Sequence, residues 1–314
     1  MEIAPQAAEL SRLGAETRVF LAASRAESTR RAYRADWEHF ATWCRKHALD
    51  ALPATPETVT LYLTALAASH KPATIRRRLT VIGRAHQAAG HAAPTGMLVT
   101  ETLKGIRRTM GTAQRGKRPL FTAELCAMIQ AMPQNLQGKR DRALLLIGFA
   151  GGFRRSELAG LQTGDIAVEK DGLVITLQRS KTDQEGLGRK VALPYGSDRA
   201  TCPVRAYRDW LDGGQIEAGP VFREVDRHGH VQGQALHKDS VGLIVKRAVA
   251  RIGLKPADYA GHSLRAGLAT QAYRNGASEL AIMRQTGHRS LSTVRKYIRD
   301  DSLFRDNPAA KLGL

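Results

Sequence analysis

A mainly helical protein in two parts is predicted, with an all-helical first half and an α+β second half built on helices and a small three-stranded antiparallel sheet. Three observations predict it. Apolar residues recur at helical spacing through the first hundred or so positions. Three β-rich runs separated by turn signals interrupt the helical pattern between residues 165 and 194. Between the two patterns lies MGTAQRGKRP at 110–119, glycine-containing, basic and without apolar period, which reads as a linker. The expected division is a helical domain over 1–110, a basic linker over 111–118, and a second domain over 119–314. A chain of 314 residues is long enough to bury two cores.

In the first half, Ser28 and Thr29 can cap a helix in which Tyr33, Trp37, Phe40 and Cys44 share one face. Pro53 and Pro56 break the chain, and Val59, Leu63 and Leu66 restart the period. After Pro72, Ile75, Leu79, Ile82 and His86 line one side of the next helix, while Arg76, Arg77 and Arg84 fall mainly on others. Gly90 and Pro94 close it. TETLKGIRRTM forms a last short helix whose Arg107 and Arg108 lead into the linker residues Arg115, Lys117 and Arg118. These eight basic residues are candidate DNA contacts, since Arg-rich helices suit phosphates and the major groove. For any single arginine, an ordinary solvated face is the competing reading.

In the second half, FTAELCAMIQAM has helical spacing, and GKRDRALLLIGFAGG reads as a buried helix ended by glycines. DIAVE, LVITL and RKVALP form a meander, with a turn at Lys170-Asp171-Gly172 and a polar loop SKTDQEGLG. Helices follow in CPVRAYRDWL, DSVGLIVKRAVARIG, HSLRAGLATQAYRN, SELAIMRQT and LSTVRKYIRD.

Charge narrows the function. Lys and Arg number 48 against 29 Asp and Glu, a net charge of +19. Residues 1–118 carry a net +10 and residues 119–314 a net +9, so both halves are basic. Such a surface attracts a polyanion, most commonly nucleic acid, and exceeds what solubility requires. A membrane surface is disfavoured because the basic residues do not sit opposite a Trp/Leu face. No apolar run approaches a membrane span and the first twenty residues lack a signal-peptide pattern, so the expected location is the cytoplasm or bacterial nucleoid. Cys44, Cys126 and Cys202 form neither a C-x-x-C pair nor a zinc spacing.

Phosphodiester chemistry needs a nucleophile, planar cations for the non-bridging oxygens, and a proton donor for the leaving oxygen. A tyrosine nucleophile, with an ordinary pKa of about 10, also needs a base or a cationic setting. The chain holds such a set in order. Arg154 and Glu157 lie in GGFRRSEL, Lys181 at the hairpin tip in RSKTDQ, His262 and Arg265 in HSLR, His288 in TGHRS, and Tyr297 nine residues further on. Each has a plainer reading. Tyr297 can pack with Val294 and Ile298, His262 can cap a helix, and Arg265 can form a surface salt bridge. Arg155 competes with Arg154, and Arg189 and Lys190 compete with Lys181. No Cys or carboxylate joins the histidines at metal-ligand spacing, so no metal is expected.

These motifs resemble the tyrosine recombinase (phage integrase) family, whose pattern is G-x-R-x-x-E-[LI], a hairpin Lys, H-x-x-R, then L-G-H with Tyr nine residues on. Here they read GFRRSEL, RSKTDQ, HSLR and TGHRSLSTVRKY, in that order. The resemblance covers the whole chain, and AGHSLRAG, KYIRD and AYRADWEHFATWC lean towards the Cre-like branch. It implies a SAM-like core-binding domain followed by a catalytic domain of the DNA breaking-rejoining fold. It further implies that Tyr297 forms a 3′-phosphotyrosyl link, that Arg154 and Arg265 clamp the phosphate, and that Lys181 protonates the departing 5′-oxygen. His262 would assist proton transfer at the tyrosine and His288 would hydrogen-bond the phosphate. Glu157 would hold Arg154 or His262 in place. The bond energy is retained in the phosphotyrosine, so neither ATP nor another cofactor is required.

The implied partner is double-stranded DNA, bound by a homotetramer on two sites with a dimer per site and strands exchanged through a Holliday junction, as in mobile-element recombination. A tail contact around Leu303 and Phe304 is expected to link protomers. Two alternatives stand beside this reading. One is a type IB topoisomerase-like relaxation enzyme, disfavoured by TGHRS and the helical first half. The other is a non-catalytic DNA-binding regulator, disfavoured by the complete residue set.

Overall fold

Helical periodicity becomes helix throughout the first part of the computed structural model, which describes residues 3–112, 116–178, 188–298, 309 and 312. The chain divides into two units, Met1–Arg115 and Gly116–Leu314. The first holds α1 (Ile3–Ala23), α2 (Glu27–Lys46), α3 (Pro56–Ala67), α4 (Pro72–Ala88) and α5 (Met97–Met110). Prolines open α3 and α4, where a missing N–H is harmless. Thr55 caps α3 by accepting the Thr58 N–H at 3.2 Å. Helix α2 starts earlier than expected, with Ala26 at the cap, so Ser28 and Thr29 fall inside its first turn. Helix α1 was not anticipated, and its Leu10, Val19, Phe20 and Leu21 are exposed.

The core of this unit joins Phe40 and Cys44 of α2 with Tyr62 and Leu63 of α3, Ile75 and Ile82 of α4, and Val99 of α5. A buried acid, Asp36, interrupts the apolar face of α2. Arg77 grips it bidentately at 2.7 and 2.9 Å, and Arg78 lies 3.4 Å away. The pair ties α4 to α2. His86, on the apolar side of α4, is fully buried. Its Nε2 accepts the Ala54 N–H at 2.8 Å, so its proton sits on Nδ1, which donates to the Ile82 carbonyl at 2.8 Å. His86→Leu strands the buried Ala54 N–H, and a loss of about 1–3 kcal/mol is expected. Chemical denaturation followed by the fluorescence of Trp37, whose ring lies edge-on to His86, measures it.

The second unit begins with α6 (Thr122–Gln130), α7 (Leu136–Ala150) and α8 (Arg155–Gly160). Helix α7 buries Ala143, Leu144, Leu145, Leu146 and Ile147 in succession, as a central helix must. Strands β1 (Ile166–Glu169), β2 (Gly172–Leu177) and β3 (Arg189–Pro194) form the antiparallel meander, with Ile166 opposite Ile175 and Leu177 opposite Arg189. Helix α9 (Pro203–Gly214) buries Trp210, whose Nε1–H donates to the Val221 carbonyl at 2.8 Å.

A second hairpin, β4 (Arg223–Val225) with β5 (Val231–Ala235), was not anticipated, because its polar, largely exposed residues carry no alternation. Four helices follow: α10 (Lys238–Arg251), α11 (His262–Arg274), α12 (Glu279–Thr286) and α13 (Leu291–Ile298). A small apolar cluster of Ala269, Ile282 and Val294 pins the last three together. Burying a side chain such as Val294 or Ile298 contributes roughly 1.5–3 kcal/mol. Among the described residues no helix is long and apolar enough to cross a membrane.

Candidate active site

Six of the seven residues proposed for chemistry converge in the second unit: Arg154, Glu157, His262, Arg265, His288 and Tyr297. The seventh, Lys181, lies outside the described residues, between β2 and β3.

The site starts where α7 ends. Gly152 adopts φ +57°, and a Cβ there would come within 2.6 Å of Leu268 and 3.0 Å of Thr286, so only glycine fits this turn. The turn delivers Arg154 to the N-cap of α8. Glu157, three residues on, accepts the Arg154 backbone N–H at 2.9 Å and pairs with its guanidinium at 2.5 Å. One carboxylate thus caps the short helix and orients the arginine.

Helix α11 supplies His262 and Arg265. Arg265 is 1% exposed. Its Nη1 donates to the carbonyls of Gly152 at 2.7 Å and Thr286 at 2.5 Å, and its Nη2 to His288 Nε2 at 2.9 Å. A guanidinium has five N–H groups. Among the described residues those three bonds leave the Nε–H and one Nη2–H, the kind of fork that matches two phosphate oxygens. Burial first, and then the charge of Arg154, lowers the Arg265 pKa to about 10, so it stays cationic at neutral pH.

Helix α12 ends in a left-handed Gly287 (φ +65°), whose missing side chain leaves room for the Arg189 guanidinium and turns the chain into His288. Burial, then the charges of Arg265 and Arg154, push the His288 imidazole down to about 3. It is a neutral ring.

Tyr297 projects from α13, its ring 5.4 Å from each of His262 and His288. Its hydroxyl lies 2.7 Å from His262 Nε2. Thr270 donates to the Tyr297 carbonyl at 3.0 Å and fixes that turn of the helix. One edge of His262 is open to solvent. Partial loss of hydration, then the charges of Arg265, Arg154 and Arg155, hold its pKa below the ordinary imidazole value.

Arg155, the rival of Arg154, pairs with Asp239 at 3.1 Å. Arg189, a rival of Lys181, is drawn into the site instead. It donates to the Gln285 carbonyl at 2.6 Å and to Glu157 at 3.4 Å, above the Phe153 ring. Its place in the sequence marks it only as a rival of Lys181. The signal was strand alternation, since Arg189 shares a face with buried Val191 and Leu193.

The DNA-contact candidates separate. Arg76, Arg84, Arg107 and Arg108 are exposed on the first unit, whereas Arg77 is engaged by Asp36. Lys117 donates to the Ala257 carbonyl, and Arg118 lies over the Tyr259 ring. Arg115 lies outside the described residues, as do Leu303 and Phe304 of the tail.

The helical framework brings together two arginines, two histidines and a tyrosine, the residue types that phosphodiester chemistry requires. Residues 120–303 match the phage integrase family, and the chain belongs to that family, the tyrosine recombinases, which carry out site-specific DNA recombination. It is 41% identical over 301 residues to an integrase/recombinase XerD homolog of Selenomonas ruminantium, covering 94% of this chain and 88% of the relative. It is 34% identical over 162 residues to the tyrosine recombinase XerC of Pelobacter propionicus, covering 51% of this chain and 47% of that protein. The Cre-like leaning of its motifs thus occurs in a chain with Xer-type relatives.

Similar folds are found in XerH site-specific recombinase bound to palindromic difH substrate (TM-score 0.62, 20% identity, 82% of this chain, 72% of that one). A λ integrase dimer bound to a COC′ core site is also similar (TM-score 0.61, 18% identity, 92% and 94% coverage).

Proposed function

We propose that Tyr297 attacks the scissile phosphate of a DNA strand, with the neutral His262 accepting its proton across the 2.7 Å hydrogen bond. That contact, set beside the buried Arg265 and its three fixed hydrogen bonds, is the observation that carries the reading. The Tyr297 oxygen bonds to phosphorus as the bond to the 5′-oxygen breaks, giving a 3′-phosphotyrosyl link. Arg154 and Arg265 hold the non-bridging oxygens and stabilise their growing charge. Lys181 is proposed to protonate the departing 5′-oxygen. Rejoining reverses these steps with the 5′-hydroxyl of a partner strand, and one phosphoester replaces another throughout.

Both ring nitrogens of His288 are engaged, Nε2 by Arg265 and Nδ1 by Thr286. The geometry therefore favours His288 as the support of Arg265 over a direct phosphate contact. Proteins of this fold have been captured on DNA, XerH on difH and λ integrase as a dimer on its core site. By the same logic double-stranded DNA is the substrate here, the exposed arginines of α4 and α5 are backbone contacts, and a homotetramer assembles on two sites, a dimer on each.

The test is a suicide substrate nicked beside the cut, so that the released 5′ fragment diffuses away. A denaturant-stable protein–DNA band that maps to the peptide containing Tyr297 is expected; a band on another tyrosine overturns the assignment. Two marked duplexes then separate strand exchange from topoisomerase-like relaxation.

The pH dependence follows from His262. Its proton-accepting form is neutral, and its pKa lies below the ordinary imidazole value of 6.5. Cleavage should therefore stay level as pH falls through that value and decline only at lower pH. Single-turnover rates against pH check this, and His262→Gln should remove the acid limb.

A further inference from the structure

Two residues before His288, Thr286 stands where the L-G-H pattern has leucine, and it is completely buried. Its Oγ1 lies 2.6 Å from the Ile282 carbonyl oxygen and 2.7 Å from His288 Nδ1. Two oxygens at 2.6 Å with no proton between them repel, and a carbonyl has no proton to give. The hydroxyl proton therefore points at Ile282. Towards His288 the hydroxyl can only accept, so the imidazole proton sits on Nδ1.

The opposite nitrogen gives the same answer independently. His288 Nε2 lies 2.9 Å from Arg265 Nη2, a group that has only donors. Nε2 must offer a lone pair. The backbone carbonyl of Thr286 also accepts from Arg265. One threonine thus addresses the arginine twice, directly through its carbonyl and through the histidine by its hydroxyl.

We propose that Thr286 is a positioning residue that locks His288 in its Nδ1–H tautomer, so that Nε2 holds Arg265 with its remaining fork facing the phosphate. The idea rests on the catalytic reading above for its consequence, but not for the tautomer itself. Without the hydroxyl, the common Nε2–H tautomer would aim an N–H at the Arg265 Nη2–H, and the arginine would lose its lateral support. A leucine at this position has no oxygen with which to set the tautomer.

The experiment is long-range ¹H–¹⁵N correlation on the histidine-labelled full chain near neutral pH, with His288 identified by loss of its signals in His288→Gln. The wild type should show the Nδ1–H pattern. Thr286→Val, which keeps shape and burial, should shift it towards Nε2–H, and Thr286→Ser should restore it. In single-turnover cleavage, Thr286→Val should slow the covalent step by roughly 10–100-fold, the scale expected when the partner that orients a working imidazole is lost. DNA affinity should stay level, and serine should recover the rate.

An Nε2–H tautomer in the wild type, or an unchanged tautomer in Thr286→Val, overturns the proposal whatever the activity. The expected tautomers in a protein that forms no phosphotyrosine would instead uphold the tautomer lock and overturn the catalytic reading.

Discussion

Tyr297→Phe is expected to abolish the covalent protein–DNA adduct while leaving the fold and DNA binding intact. The hydroxyl's one polar contact among the described residues is His262, on the rim of the site. The rest of the side chain is an aromatic ring between two imidazoles, and phenylalanine preserves that ring. The helix itself is held by Val294 and Ile298, which are buried, and by Thr270 on the main chain. Losing the hydroxyl therefore costs little stability. It removes the only atom of the residue that can bond to phosphorus. Removing the nucleophile from a concerted catalytic set lowers rates on the order of 10⁶-fold. In the suicide-substrate assay that is no band at all, alongside a DNA mobility shift like the wild type's. A persisting band would place the nucleophile elsewhere. Tyr273, on the neighbouring helix α11 and part of the same apolar cluster, is the natural control, and Tyr273→Phe should cleave normally.

Most of this site was legible because its residues obey spacing rules that survive folding. His262 and Arg265 are one helical turn apart, and Arg154 and Glu157 are joined by a helix start. Their mutual approach, which no local pattern shows, depends on α7 being buried and on Gly152 and Gly287 permitting left-handed turns. The meander was readable from alternation, whereas the β4–β5 hairpin was not, because neither strand has a buried face. The roles that were hidden belong to residues whose chemistry is set by partners distant in sequence. Arg77 looked like a phosphate contact because it shares α4 with Arg76 and Arg84, yet Asp36, forty-one positions earlier, engages it. Arg189 looked like a hairpin cation, yet it reaches Glu157 and the end of α12. Thr286 carries no local signal of a role; only the two distances at its hydroxyl expose its bearing on His288.

Arg265→Lys tests whether charge or shape governs the phosphate site. Lysine keeps the positive charge but has three donors on one nitrogen, against five on a rigid plane. Arg265 uses three of its five to reach two carbonyls and one imidazole that face it from different elements. A lysine placed to serve any of them leaves the others unsatisfied around a side chain that is 1% exposed, and it has no second edge for phosphate. A single preorganised donor to a developing oxyanion is worth about 10²–10³ in rate, and this substitution disturbs two. Cleavage should therefore fall by at least that range under single-turnover conditions, with DNA affinity nearly constant, because the loss is specific to the transition state. Arg265→Ala should be slower still and also less stable, since the buried Gly152 and Thr286 carbonyls each lose a charged partner, at about 1–3 kcal/mol apiece. The lysine variant separates the two effects. A rate within tenfold of wild type would show that positive charge alone suffices, and that the fork built by Gly152, Thr286 and His288 is not what the reaction uses.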